Sequence, residues 1–140
     1  MPNINIFQLP HEFLIVGAAT ETGIFDEINK GSYTVKELAG QLNCDFRAVW
    51  TIIEALVALG YLEYGENESV KLTEEIRNTF YNPDYDGFTG FAFMHSYNLL
   101  KSWIQLPYVI KHGGPVPEKE TRDGSRTKHF IKAMSHGALK

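Results

Sequence analysis

Residues 45–56 read DFRAVWTIIEAL, and the reading of this stretch decides the fold. An aspartate such as Asp45 starts a helix by accepting a backbone N–H with its carboxylate, and a glycine such as Gly60 ends one. A helix is therefore predicted over Phe46–Leu59. Upstream, Thr34-Val-Lys-Glu37 is a capping box, in which hydroxyl and carboxylate each satisfy an orphan amide, and it opens a short helix, VKELAGQL. Asn43 and Cys44 make a tight turn between the two. Downstream, Tyr61–Tyr64 and Ser69–Leu72 are strand-like runs flanking the polar loop Gly65-Glu-Asn-Glu68, the pattern of a hairpin. Thr73 then starts a short helix, TEEIRNTF. The order is that of a winged helix-turn-helix: a mostly α fold with a small β-hairpin wing.

Such a scaffold raises the question of DNA. Helical geometry puts Arg47, Thr51 and Glu54 on one stripe with Ala58 beside it, while Trp50, Ile52, Ile53, Leu56 and Leu59 read as core. Recognition helices present Arg, Lys, Asn or Gln to base edges. From Asp45 to Leu72 the charges are Arg47 and Lys71 against Asp45, Glu54, Glu63, Glu66 and Glu68, a net of −3, so the wing repels the backbone it would have to grip. Fold alone does not assign function. A winged-helix transcriptional regulator binding DNA stays as the rival reading, but the charge argues against a nucleic-acid partner.

The flanks add two features. After Pro10, HEFLIVGAATETGIFDEINKG reads as one or two helices closed by Gly31. Phe13, Leu14, Ile15 and Val16 are consecutive and so point to all sides of their helix. One subunit does not cover every side, and an uncovered run would be a larger apolar patch than soluble monomers tolerate. A homodimer with these four residues at the seam is expected. The second half, after the turn-rich YNPDYDG, is a long helical stretch from Phe88 to about His112, ended by Gly113-Gly-Pro-Val-Pro. A polar loop, EKETRDGSRTK, and a further helix, HFIKAMSHGALK, follow.

Composition narrows the function classes. The chain has 140 residues, 44% of them hydrophobic, and a formal net charge of −4, which gives no global attraction to phosphate or to an anionic bilayer. FLIVGAA is too short to cross a membrane and no Lys or Arg precedes it, so neither a membrane span nor a signal peptide is expected. Cys44 is the sole cysteine, which excludes an intrachain disulfide and is the usage of a reducing compartment; a cytoplasmic location is expected. The five histidines show no i, i+4 pair for a metal, and no third ligand accompanies His129 and His136. No nucleophile–base arrangement or phosphate loop is visible, so no catalytic or metal-ligating residue is expected within these residues.

Nine of the chain's 18 aromatics lie between Phe80 and Tyr108, a density that fits core packing plus a dimer seam. On the helix from Phe88, the residues Ala92, Leu99, Trp103, Leu106 and Ile110 follow core spacing, whereas Phe91, His95, Asn98 and Ser102 form a second, semi-polar face.

The apolar first helix, the phrase Thr22-Gly-Ile-Phe-Asp-Glu-Ile28, Thr34-Val-Lys-Glu-Leu-Ala39, IIEALVALGYLEY and Phe130-Ile-Lys-Ala-Met134, in that order, carry a resemblance. The sequence resembles the N-terminal dimerisation domain of S-adenosylmethionine-dependent small-molecule O-methyltransferases. The resemblance implies a winged-helix dimerisation domain over residues 1–81, with a helical extension over 82–140 leading toward a Rossmann-like methyltransferase domain. It implies S-adenosylmethionine as cofactor of the parent enzyme and a small, aromatic, hydroxylated acceptor. Met94, His95, Asn98, Trp103, Phe130 and Met134 would contact that acceptor, aromatic and thioether groups packing a flat ring and His95 or Asn98 holding a hydroxyl. The Gly-rich cofactor loop of the family is not among these residues, so they are expected to bind no cofactor alone.

Overall fold

The computed structural model describes residues 8–116. Phe130 and Met134 lie outside the described residues. The elements are α1 (His11–Glu21), α2 (Ile24–Lys30), α3 (Val35–Leu42), α4 (Phe46–Ala58), β1 (Leu62–Tyr64), β2 (Val70–Leu72), α5 (Glu74–Tyr81), α6 (Phe93–Ile104) and α7 (Leu106–His112). The protein is mostly helical with one two-stranded antiparallel sheet, as expected. The chain divides into two compact units, Met1–Asn78 and Thr79–Lys140, and each is described by itself.

In the first unit the local signals act as their chemistry dictates. Gly23 adopts a left-handed φ of 86°, which breaks the opening segment into α1 and α2. The capping box forms: Thr34 Oγ1 accepts from the Glu37 N–H at 3.2 Å and Glu37 Oε1 accepts from the Thr34 N–H at 2.9 Å. Those bonds, the backbone one first, hold the Glu37 carboxyl below its usual range. Asn43 takes φ 54°, and Asp45 Oδ2 accepts from the Ala48 N–H at 2.9 Å to start α4. Gly60, at φ 88°, lets the Tyr61 N–H fold back to the Leu56 carbonyl at 2.9 Å and ends α4.

The wing pairs Leu62 with Leu72, Glu63 with Lys71 and Tyr64 with Val70. Leu62, Val70 and Leu72 are buried, while Glu63 and Lys71 form an exposed ion pair at 3.5 Å. Tyr33 adds a bridge to the hairpin, its carbonyl accepting from the Val70 N–H at 2.8 Å. A one-residue bridge has no alternating pattern, so the sequence does not announce it. Around the sheet, Ile24, Phe25, Ile28, Leu38, Val49, Ile53 and Leu56 form the core. The Tyr61 hydroxyl donates to Glu12 Oε1 at 2.9 Å, across 49 positions of sequence. Burial first, and then Glu12, push the Tyr61 pKa up to about 12.

Two parts of the expected core differ. Trp50 and Leu59 are exposed, because α4 turns only the Val49, Ile53 and Leu56 side inward. In the second unit the expected continuous helix is two helices with a break at Gln105. Pro107 explains the break: its ring clashes with the carbonyl four residues back, at Trp103, and it carries no N–H for that partner. The expected core stripe is also reversed. Phe91, Met94 and Tyr97 are buried, whereas Leu99, Trp103, Leu106 and Ile110 are exposed. Apolar spacing identifies a face that avoids water; it does not say which of two apolar faces the chain itself covers.

Candidate functional site

The second unit places the expected acceptor-contacting residues on α6. The Thr79 carbonyl accepts from the N–H groups of Thr89 at 2.9 Å and Gly90 at 3.0 Å, closing the loop before the helix. This brings Phe80 to 5.0 Å from Phe91 and 5.8 Å from Phe93 between ring centroids, with Tyr81 edge-on to Phe91 at 5.4 Å. Such tilted and edge-on pairs are the favoured aromatic geometry, and the cluster anchors the start of α6. Met94 is fully buried, and His95 and Asn98 are half-buried. At about 100° per residue, Met94, Asn98 and His95 fall within one quarter to one third of the helix circumference, and Trp103 falls on the opposite side from Met94. Trp103 is 66% exposed and belongs with Leu99 on an apolar outer face. The structure thus groups three of the four described candidates and separates the fourth.

Ile104 and Tyr108 extend the apolar exposure of α6 and α7, and Ile110 is 76% exposed. Near the ends of these helices, Lys101 Nζ sits 5.0 Å from the Tyr97 ring centroid, and the rings of Tyr108 and His112 lie 4.3 Å apart. Among the described residues no polar or charged side chain is fully buried, and no three His, Cys, Asp or Glu side chains gather as a metal site.

The first unit carries the other two surfaces in question. Of the residues expected at a dimer seam, Val16 is buried within the chain's own core, Phe13 and Ile15 are half-buried, and Leu14 is 37% exposed. On the outer side of α4, Phe46 and Trp50 stand exposed beside Arg47, Thr51 and Glu54. Phe46 and Trp50, with Val35, Lys36, Tyr64 and Glu68, line an open hollow of about 610 Å³. The Tyr64 hydroxyl donates to Glu54 Oε1, and burial, followed by Glu54 and Glu68, pushes the tyrosine up to about 12. The place where a DNA-reading helix presents several cations therefore presents two aromatic rings and an engaged carboxylate beside Arg47. Trp50, expected in the core, is exposed instead, and the one sequence signal of the aromatic pair is the i, i+4 spacing of Phe46 and Trp50 next to the polar stripe.

A duplex meeting this face finds Arg47 against Glu54 and a wing of Glu63, Glu66 and Glu68. We expect no sequence-dependent duplex binding in fluorescence anisotropy at low salt. Sub-micromolar affinity that depends on sequence and falls steeply with added salt would overturn that expectation.

No protein-family model matches the sequence, and no curated protein matches it either. Solved structures do. The architecture is first of all a winged helix with additional helices. Within that class it is the fold of part of the small-molecule O-methyltransferases. An O-methyltransferase family protein from Burkholderia thailandensis superposes with a TM-score of 0.64 at 19% identity, over 97% of this chain and 41% of its own. An O-methyltransferase from neocarzinostatin biosynthesis, solved with S-adenosylmethionine and 2-hydroxy-5-methyl naphthoic acid, gives 0.64 at 18% identity, over 99% and 46%. Human N-acetylserotonin methyltransferase, solved with S-adenosylmethionine, gives 0.61 at 16%, over 91% and 42%. The chain thus spans less than half the length of the enzymes it resembles. At these identities the likeness is one of fold, and nothing in it supports DNA reading. Among the described residues no helix is long and apolar enough to cross a membrane.

Proposed function

We propose that this chain is the dimerisation and acceptor-binding part of an S-adenosylmethionine-dependent O-methyltransferase acting on a small, hydroxylated, aromatic molecule. The observation that carries the reading is the coverage: nearly all of this chain superposes on two-fifths of three methyltransferases, one of them solved with a hydroxylated aromatic acid. Residues 1–81 are the winged-helix dimerisation part and 82–140 the extension toward the cofactor-binding domain. S-Adenosylmethionine supplies the electrophilic methyl group in the parent enzyme. The residues of this chain supply geometry: Met94 and the neighbouring rings form the buried apolar backing of the acceptor side of α6, half-buried His95 or Asn98 orients the acceptor's hydroxyl, and the apolar surroundings exclude water. Phe130 and Met134 complete the acceptor contacts, while Trp103, on the opposite side of α6 from Met94, belongs with the exposed apolar face.

Two measurements test this. Calorimetry of the 140 residues with S-adenosylmethionine should show only heat of dilution, because no glycine-rich loop precedes a helix start. A micromolar dissociation constant would mean that the cofactor site lies in this chain. In the natural-length polypeptide, His95→Ala or Asn98→Ala should raise KM for the acceptor by about 2- to 10-fold, the worth of one orienting hydrogen bond. Unchanged KM in both variants would remove these residues from the acceptor site.

A further inference from the structure

A second hollow of the first unit has a different chemistry. It is an open depression of about 730 Å³ between the end of α2, the wing and the start of α5, lined by Lys30, Lys71 and Arg77 with Asn29, Ser32 and Asn67. Glu66 is its one carboxylate. Three cations thus share one depression in a chain whose formal net charge is −4. Among the described residues Lys71 is engaged by Glu63, at 3.5 Å and with both side chains about half exposed, a geometry that holds a charge weakly. The side chains of Asn29, Lys30, Ser32, Asn67 and Arg77 make no hydrogen bond or ion pair among the described residues.

From this we infer a binding site for a small, multiply charged anion of the phosphate class, such as the phosphate group of a small metabolite. A planar guanidinium grips two oxygens of such a group at once, ammonium groups neutralise it, and hydroxyl and amide donors take the remaining lone pairs. Gly65 lets the wing backbone lie close under this depression: a Cβ there would stand 3.2 Å from Ser69 Oγ, tight enough that the serine would have to give, and 3.5 Å from Lys71 Cδ, an ordinary contact. The inference is independent of the methyltransferase reading, because the hollow and the α6 residues occupy different units. It assigns the wing a ligand-binding role while the outer face of α4 stays unfit for DNA.

The test is titration of inorganic pyrophosphate into the 140-residue chain at low salt, followed by calorimetry and by amide chemical shifts. Saturable binding is expected, with shifts confined to Asn29–Ser32, Gly65–Lys71 and the start of α5. The double variant Lys30→Ala, Arg77→Ala should weaken it about tenfold or more, from the loss of charge-assisted hydrogen bonds. Lys36→Ala, on the α4 hollow, should leave it unchanged. Circular dichroism confirms that the variants fold. Absence of saturation at tens of millimolar, or equal affinity in the double variant, overturns the assignment. Tighter binding of a short DNA duplex than of pyrophosphate, lost in the same double variant, would replace the small anion by nucleic acid and overturn it equally.

Discussion

Sedimentation at micromolar concentration should find the chain at twice 15.9 kDa, and Ile15→Glu should produce aggregation or unfolding in place of a clean monomer. The reasoning starts from α1. Its buried side is Val16, Gly17 and Ala19, which leaves Phe13, Leu14 and Ile15 only partly covered by the chain itself. The second unit leaves Leu99, Trp103, Ile104, Leu106 and Ile110 exposed as well. Apolar side chains left open on a helix in this way are what a twofold partner covers with its own copy. If α6 contributes together with α1, the buried total should exceed about 2,000 Å², the obligate class. A gross hydrophobic term of tens of kcal/mol follows at roughly 25 cal/mol per Å², before association and ordering costs. A carboxylate at position 15, half-buried already within one chain, would have to be desolvated in that seam. A stable monomer of 15.9 kDa with an ordered α1 would contradict this expectation.

Phe25→Ala should lower the stability of the first unit by about 3–5 kcal/mol, the cost of removing a fully buried ring and leaving a cavity. Phe25 is 0% exposed, and its ring lies 6.4 Å from that of Tyr61, which is itself tied to Glu12 of α1. One side chain therefore joins α2 to the strand-side start of the wing. A loss of this size is a large share of the roughly 5–15 kcal/mol that holds a typical domain together. Thermal or urea denaturation followed by circular dichroism reads the effect directly. A change below about 1 kcal/mol would place Phe25 outside the cooperative core.

The parts of the fold that were legible in the sequence are those fixed by local chemistry. Thr34, Glu37, Asp45 and Gly60 act through hydrogen bonds to amides or carbonyls within a few positions, and each does in the structure what its type and spacing imply. The hairpin was equally readable, because Leu62, Val70 and Leu72 alternate with Glu63 and Lys71. What was not legible depends on which apolar face meets which neighbour. Trp50 and Leu59 look like core in a one-dimensional pattern, as do Leu99, Trp103 and Ile110, yet the chain leaves all five exposed. Pro107 was visible, but its consequence, the break at Gln105, was masked by the strong helical pattern on either side. On α6, helical spacing alone puts His95 and Asn98 toward one side and Trp103 opposite Met94; which of those sides the chain leaves exposed, 66% for Trp103 against 0% for Met94, was not legible. The hollow formed by Lys30, Lys71 and Arg77 had no sequence signal, because its three cations come from three separate elements.

The most direct test of the central claim is to read the coding frame beyond codon 140 in the natural gene and assay the encoded polypeptide for methyl transfer from labelled S-adenosylmethionine to hydroxylated aromatic acceptors. The account predicts a strand followed by a glycine-rich loop and a helix, with transfer that requires it. A frame that closes with no such loop, in a protein that transfers no methyl group, would contradict it.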